Sequence, residues 1–362
     1  MQTEAWVHRD KDSPPQLERV MLGAPAPNEL IVKIAAVGVC HTDLFAPLIF
    51  GLPAVFGHEG AGVVQRVGSA VKKVVPGDRV ALTFGSCGQC PACTGNSPAY
   101  CTHSHHLQFG GTREDGTVTM GGDQGAVAGA FFQQSSFARH ALATERNVVK
   151  IPDDFPFELA APLGCGIQTG AGTVLNALQP RRGESLVVFG AGAVGLAAIM
   201  AGRIAGCDPL IAVDVLAERL ELAAELGATE VLNAASDDVV ARIVALTGGG
   251  ARFTIECAGA VQSFESAIAA THRRGICALL TVPKLGQPFP FAPMPILQGR
   301  TLTGVIEGNS IPDQFIPRLI ELQRSGQLPY ERLLSRYSFA DLPTALADAT
   351  AHRAIKPVVL ID

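Results

Sequence analysis

The residues able to do chemistry crowd into a few short stretches. Gly38-Val39-Cys40-His41-Thr42-Asp43 sets a thiol, an imidazole, a hydroxyl and a carboxylate in four consecutive positions. Eighteen residues after Cys40, Gly57-His58-Glu59-Gly60 adds an imidazole and a carboxylate in a glycine setting. Thiolates and imidazoles are donors that zinc prefers, so Cys40 and His58 read as part of a catalytic metal site that a third residue completes. Cys40 alone also reads as a buried cysteine beside a surface histidine, and the rest of the chain must decide between the two. A third stretch, Cys87-Gly-Gln-Cys90-Pro-Ala-Cys93 followed by Cys101, carries four of the nine cysteines. Four thiols at such spacing point to a closed, tetrahedral structural zinc site. The loop is rich in Gly, Pro, Ser and Asn, so metal binding would supply its folding energy. His103, His105 and His106 follow at once and read as surface residues, since four thiols already complete a set.

The dinucleotide signal is of a different kind. Ser185-Leu186-Val187-Val188-Phe189 is a continuous apolar strand, as found in parallel sheets buried on both faces. It runs into Gly190-Ala-Gly192-Ala-Val-Gly195, a helix from Leu196 to Ala205, a second strand Leu210-Ile211-Ala212-Val213, and Asp214, nineteen residues past the last glycine. A lone G-x-G-x-x-G is weak, but this order of elements makes it a dinucleotide fingerprint. The helix N-terminus would receive the pyrophosphate. Asp214 would accept hydrogen bonds from the adenosine ribose and repel a 2′-phosphate, which favours NAD over NADP; Arg219 lies near enough to soften that preference.

Elements must position these residues. The chain has 362 residues, 48% hydrophobic and 17% charged, with a formal charge of -5. That length suggests two domains, and nothing in the charge points to nucleic acid or an anionic membrane. The eighteen charge-free residues between Glu184 and Arg203 contain the three fingerprint glycines, so a buried strand and helix explain them better than a membrane span. The start of the chain lacks a basic segment followed by an apolar run, which leads us to expect a cytoplasmic protein. Residues 1–37 and 60–80 read as strands and turns of an irregular, β-rich domain, and residues 107–136 as a long loop. Adjacent Phe131 and Phe132 in polar surroundings suit a pocket wall, although aromatic pairs are often plain core. Asp154–Leu178 reads as a broken helix in which Cys165, between two glycines, looks like one more buried cysteine. Alternating helices and strands then predict an α/β fold with a doubly wound parallel sheet over about 167–305, its last strand spanning Ile276–Val282. A proline-rich stretch covers Pro283–Pro295, a helix about Asp313–Ser325, and a strand the C-terminus.

Together and in this order, the Cys40–Asp43 and Gly57–Gly60 motifs, the four-cysteine loop, Gly164-Cys165-Gly166 and Gly190–Gly195 resemble the zinc-dependent medium-chain alcohol dehydrogenases. Leu163–Gly172 and Phe132-Gln133-Gln134-Ser135-Ser136-Phe137 are similar to the aryl and allylic branch, of benzyl-alcohol or geraniol dehydrogenase type. The resemblance implies a GroES-like catalytic domain over 1–166, a Rossmann domain over 167–305 and a return to the catalytic domain over 306–362. It implies two zinc ions per subunit, NAD, and a homodimer or homotetramer acting on a small alcohol or aldehyde. Cys40, His58 and Cys165 would ligate the catalytic zinc, and Cys87, Cys90, Cys93 and Cys101 the structural one. Asp43 would support His58, Glu59 would sit behind the zinc, and Thr42 would relay the alcohol proton. His41, Gly190, Gly192, Gly195, Asp214 and Arg219 would face the cofactor, while Thr169 and Val194 press on its nicotinamide. Phe84, Phe131, Phe132 and Ile306 would line the substrate pocket.

Two departures stand out. The position three residues after Thr42, which holds a histidine in many such enzymes, is Phe45, and the Ala46–Phe56 stretch is a few residues short. The implied reaction is reversible oxidation of primary aryl or allylic alcohols to aldehydes with hydride transfer to NAD. The alternatives are another medium-chain enzyme, acting on a polyol or on S-(hydroxymethyl)glutathione, and a non-catalytic sensor that binds NAD and zinc.

Overall fold

The computed structural model describes residues 1–281 and 292–362 and divides into two compact units. One comprises Met1–Cys165, Ile311–Ile320 and Glu331–Asp362; the other comprises Gly166–Ser310 and Glu321–Tyr330.

The first unit is built on the strand Glu29–Gly38, ELIVKIAAVG, whose side chains are buried apart from Lys33 and, in part, Ala35. The strand pairs antiparallel with Glu59–Val67, with His140–Thr144 and with the terminal strand Lys356–Leu360. Its register brings distant chemistry together. Gly38 lies opposite Glu59 and Val358 opposite Gly38, so Cys40, His58, Glu59 and Lys356 meet at one end of the sheet. Gly38 is needed there, because a Cβ would stand 2.0 Å from Glu59 Oε2. A second, five-stranded sheet contains Gln2–His8 and Gln16–Leu22. Trp6, Phe56, Phe131 and Phe137 are among the side chains of the apolar core.

The second unit holds six parallel strands: Leu186–Phe189, Leu210–Asp214, Glu230–Asn233, Ala251–Glu256, Thr271–Leu279 and Thr301–Gly304. In space they run third, second, first, fourth, fifth, sixth. The strand order therefore reverses between Leu186–Phe189 and Ala251–Glu256, the kind of point where doubly wound sheets bind nucleotides.

Two helices, His41–Ile49 after Cys40 and Leu342–Thr350, are not assigned from the sequence. The expected loop over 107–136 contains the end of the helix Ser104–Phe109 and a small hairpin, Met120–Gly122 with Gly125–Val127. Strands of three residues are too short to show a period. The fifth strand starts five residues early, at Thr271, because Thr271 Oγ1 bonds Thr254 Oγ1 at 2.8 Å and anchors a polar, bulged start that hydropathy hides. Its expected end at Val282, and the proline-rich stretch as far as residue 291, lie outside the described residues. Among the described residues no helix is long and apolar enough to cross a membrane.

Candidate metal centre and cofactor site

Cys40 lies two residues past the central strand and caps the helix His41–Ile49. Asp43, in the first turn of that helix, is 2% exposed and fully engaged. One carboxylate oxygen accepts the Cys40 backbone N–H at 2.9 Å; the other accepts Gly57 N–H at 3.1 Å and the Nδ1–H of His58 at 2.8 Å. An ionised carboxylate only accepts, so His58 carries its proton on Nδ1 and turns a lone pair outward on Nε2. That Nε2 is buried and has no hydrogen-bond partner among the described residues. Ligand atoms of Cys40, His58, Glu59 and Cys165 all lie within 4.8 Å of one another.

An orphaned, buried imidazole nitrogen facing two thiols is costly unless a cation fills the gap. The electrostatics fit that reading. A hydrogen bond with Cys165 holds Cys40 well below the usual thiol range, with His58 and Lys356 adding to it. Burial pushes His58 down, but Asp43 and Cys40 outweigh it and carry the imidazole well above its ordinary value, so a second proton competes for the Nε2 lone pair and a bound cation would take its place. Behind the thiols, Lys356 reaches Glu59 Oε2 at 2.5 Å and donates to the Val39 carbonyl at 3.1 Å. Burial raises Glu59, and the Lys356 ammonium offsets part of that.

Cys165 lies between the 3-10 turn Ala161–Gly164 and the helix Gly166–Gly172. Its neighbour Gly164 is pinned by Thr83, whose hydroxyl donates to the Gly164 carbonyl at 2.8 Å. Thr42 is half-buried, with its Oγ1 3.9 Å from Cys40 Sγ, whereas His41 and Phe45 are exposed. Phe132 stacks on the His58 ring at 4.4 Å and 26°, and Phe131 meets it edge-on at 5.6 Å. Phe84 is buried in the same core.

The four-cysteine loop closes on itself. Cys87 and Cys93 Sγ lie 4.0 Å apart and Cys90 and Cys101 Sγ 3.9 Å apart. A disulfide needs about 2.05 Å. A tetrahedron with metal–sulfur bonds of ~2.3 Å has edges of roughly 3.8 Å. Backbone N–H groups of Cys93 and Thr102 pull Cys90 down to about 5, while burial pushes Cys101 up to about 12. One thiolate is favoured here without a metal; four require a cation. His103 and His105 are exposed, and His106 bonds the Arg113 carbonyl, so none joins the thiols.

In the second unit the glycine turn follows the first strand. Gly190 has φ +101, and a Cβ on Gly195 would stand 1.7 Å from the Gly190 carbonyl oxygen. Gly192 precedes the helix Ala193–Ala205, which carries Val194 and Gly195 in its first turn. Asp214 does more than await a ribose: Oδ2 accepts Ala191 N–H at 2.6 Å, and Oδ1 accepts the N–H groups of Val215 and Leu216. It thereby ties the glycine turn to the second strand, with three of its roughly four acceptor sites in use. Arg219 stands in the first turn of the helix Ala217–Leu226. Thr169 Oγ1 lies 3.5 Å from Glu307 Oε2, and Ile306 is half exposed just before Glu307.

Sequence reasoning missed Lys356, whose signal was a lone lysine opening an apolar strand. It also missed Gln134, which is wholly buried together with Ser135 and Ser136.

Comparison with known proteins agrees with this architecture. Residues 26–153 match the alcohol dehydrogenase GroES-like domain and residues 193–324 the zinc-binding dehydrogenase domain. The chain is 43% identical to a geraniol dehydrogenase of Castellaniella defragrans, over 99% of this chain and 97% of that one. Its fold superposes on an alcohol dehydrogenase zinc-binding domain protein from Burkholderia ambifaria with a TM-score of 0.97 at 43% identity, covering 100% of this chain and 99% of the other. It superposes on benzyl alcohol dehydrogenase from Acinetobacter calcoaceticus with a TM-score of 0.96 at 38% identity, covering both chains fully. The chain belongs to the zinc-binding alcohol dehydrogenases, and it is a zinc- and NAD-dependent oxidoreductase of that family.

Proposed function

We propose that the protein oxidises primary aryl or allylic alcohols to aldehydes, reversibly. The observation that carries this reading is the aromatic wall on the metal-ligand side: Phe132 flat on His58 and Phe131 edge-on to both rings. Such a wall favours a flat, uncharged π-system beside the reacting carbon, and the likeness to a geraniol and a benzyl alcohol dehydrogenase supports it. A glutathione adduct would need cationic partners that these phenylalanines do not offer.

Cys40, His58 and Cys165 would hold the catalytic zinc, which supplies Lewis-acid polarisation of the substrate oxygen while NAD supplies the hydride acceptor. Asp43 fixes the His58 tautomer and ring plane. Lys356 anchors Glu59 behind the thiols. Thr42 Oγ1 takes the substrate's hydroxyl proton, and with Phe45 three residues on, that proton leaves through water, the cofactor ribose or His41. Thr169, Val194 and the Gly190–Gly195 turn seat the cofactor; Asp214 selects NAD, with Arg219 beside it; Phe84 and Ile306 complete the substrate wall. Cys87, Cys90, Cys93 and Cys101 hold a structural zinc. We further propose domains at 1–166, 167–305 and 306–362, a homodimer or homotetramer, and a cytoplasmic location.

A kinetic panel tests the substrate reading: kcat/KM for benzyl alcohol, cinnamyl alcohol, geraniol and ethanol, each with NAD and with NADP. The aryl and allylic substrates should exceed ethanol by at least about a hundredfold, some 2.7 kcal/mol of differential transition-state binding. A preference for ethanol would sink the aryl and allylic reading, and a preference for NADP the role of Asp214.

A further inference from the structure

The wall residues sit in a segment that the backbone does not adopt freely. Phe132, Gln133 and Ser135 have φ of 50°, 55° and 46°. Three non-glycine residues of four in the left-handed region are held there by their surroundings, and strain of this kind marks segments whose geometry matters. Ser135 Oγ donates to the Val55 carbonyl at 2.7 Å, and Asn147 Nδ2 donates to the carbonyls of Phe132 and Gln133 at 3.2 Å each.

Gln134 is the hub. It is wholly buried and all its capacity in the side chain is used. Its Nε2 donates to the His58 carbonyl at 2.9 Å and to the Thr83 carbonyl at 3.1 Å; its Oε1 accepts Gly60 N–H at 3.1 Å and Ser136 Oγ–H at 2.7 Å. Carbonyls only accept and a peptide N–H only donates, so the amide has one orientation. Three of the four partners are peptide groups: two flank Glu59, and the third, on Thr83, lies in the residue whose hydroxyl pins Gly164 beside Cys165. One side chain therefore spans the peptides bearing two members of the ligand cluster and the strained turn whose phenylalanine stacks on His58.

We propose that Gln134 is a positioning residue that locks the aromatic wall to the metal-ligand frame, so that zinc retention and aryl selectivity are set together. This rests on the functional reading above for its selectivity arm alone. Asp43 holds His58 from its ring; Gln134 holds it from its backbone, and of the two it is the one that belongs to the same turn as Phe132.

The test uses the full-length zinc-loaded enzyme with Gln134→Leu, which keeps volume and removes all four bonds, and Gln134→Glu, which keeps the acceptor but sets oxygen against two carbonyls. Two readouts are compared with wild type: the rate at which the less tightly held of the two zinc ions passes to a chelator, and the ratio of kcat/KM for benzyl alcohol to that for 1-butanol. Both should change together, by about 10- to 100-fold, the range found for residues that orient metal ligands. Melting reports the fold. A lowered Tm with zinc release and selectivity both unchanged would make Gln134 an ordinary core residue and overturn the proposal. If neither variant folds, Ser136→Ala removes one bond alone and must move both readouts in the same direction by a smaller factor; no movement overturns it. A wild-type enzyme without aryl preference would sink the substrate reading, and zinc release would then judge Gln134 by itself.

Discussion

The two cysteine clusters of this chain are built on opposite plans. The Cys87–Cys101 loop carries four like donors within fifteen residues and has little else to pack. The Cys40, His58 and Cys165 cluster gathers unlike donors from positions up to 125 residues apart, and depends on strand register, on Asp43 and on Lys356 to bring them together. The first is a local device whose metal stabilises a fold; the second is a product of the fold. Losing a donor should therefore damage stability in one and chemistry in the other.

The sharpest way to break that comparison is Cys165→Ser. Turnover should fall by at least about a thousandfold, some 4 kcal/mol of lost transition-state stabilisation. Metal analysis should count one zinc per chain in place of two. NAD binding, followed by fluorescence titration, should change by less than about twofold, since the glycine turn and Asp214 are built in the other unit. Retained turnover would mean that Cys165 is not a ligand.

Asp43→Asn asks how much the dispersed cluster owes to its supports. The single amide oxygen can serve Cys40 N–H or Gly57 N–H but not both, and the charge that steadies His58 is lost, so steady-state kcat/KM should fall about 10- to 100-fold. A change of less than threefold would show that strand register alone holds the imidazole. Cys93→Ser makes the opposite cut. The loop should lose its metal and the Tm should drop by about 5–10 °C, while kcat/KM assayed well below the new Tm stays within about threefold. A variant that kept its Tm would remove the structural role from the loop.

The same contrast explains what was legible beforehand. The four-cysteine loop is a local signal, as are the strand, glycine turn, helix and acid from Ser185 to Asp214; spacing alone exposes them. The partners of His58 are not local. Asp43 reaches His58, and Lys356 reaches the neighbouring Glu59, where the register Gly38↔Glu59 and Val358↔Gly38 brings these strands together, which no single stretch encodes, and Cys165 entered only through resemblance to a family. The helix His41–Ile49 was hidden because its apolar residues Phe45, Leu48 and Ile49 are exposed rather than gathered on a buried stripe. Gln134 was hidden because four consecutive polar residues, Gln133–Ser136, look like surface until their hydrogen bonds are seen.

The finest cut falls on the layer beneath the dispersed cluster. His8 ends the strand Gln2–His8, packs its ring 5.1 Å from that of Phe56, and is 7% exposed with neither ring nitrogen hydrogen-bonded among the described residues. Burial lowers it to about 4, against the pull of Asp43 and Asp10. The unfolded chain takes up that proton near pH 6.5 and the folded chain only near 4, so this residue's contribution to stability is intact at neutral pH and is lost as the pH falls through that window. Between pH 7 and 5 the loss is about 2 kcal/mol. His8→Leu, which has nothing to protonate, should therefore gain about 2 kcal/mol on wild type over the same interval, measured by urea denaturation of the first unit at both pH values. Titrating groups that do not interact with His8 cancel in that difference. A gap that stays constant from pH 7 to 5 would mean that His8 finds a partner in solution, and that the wall around Phe56 is wetter than its packing implies.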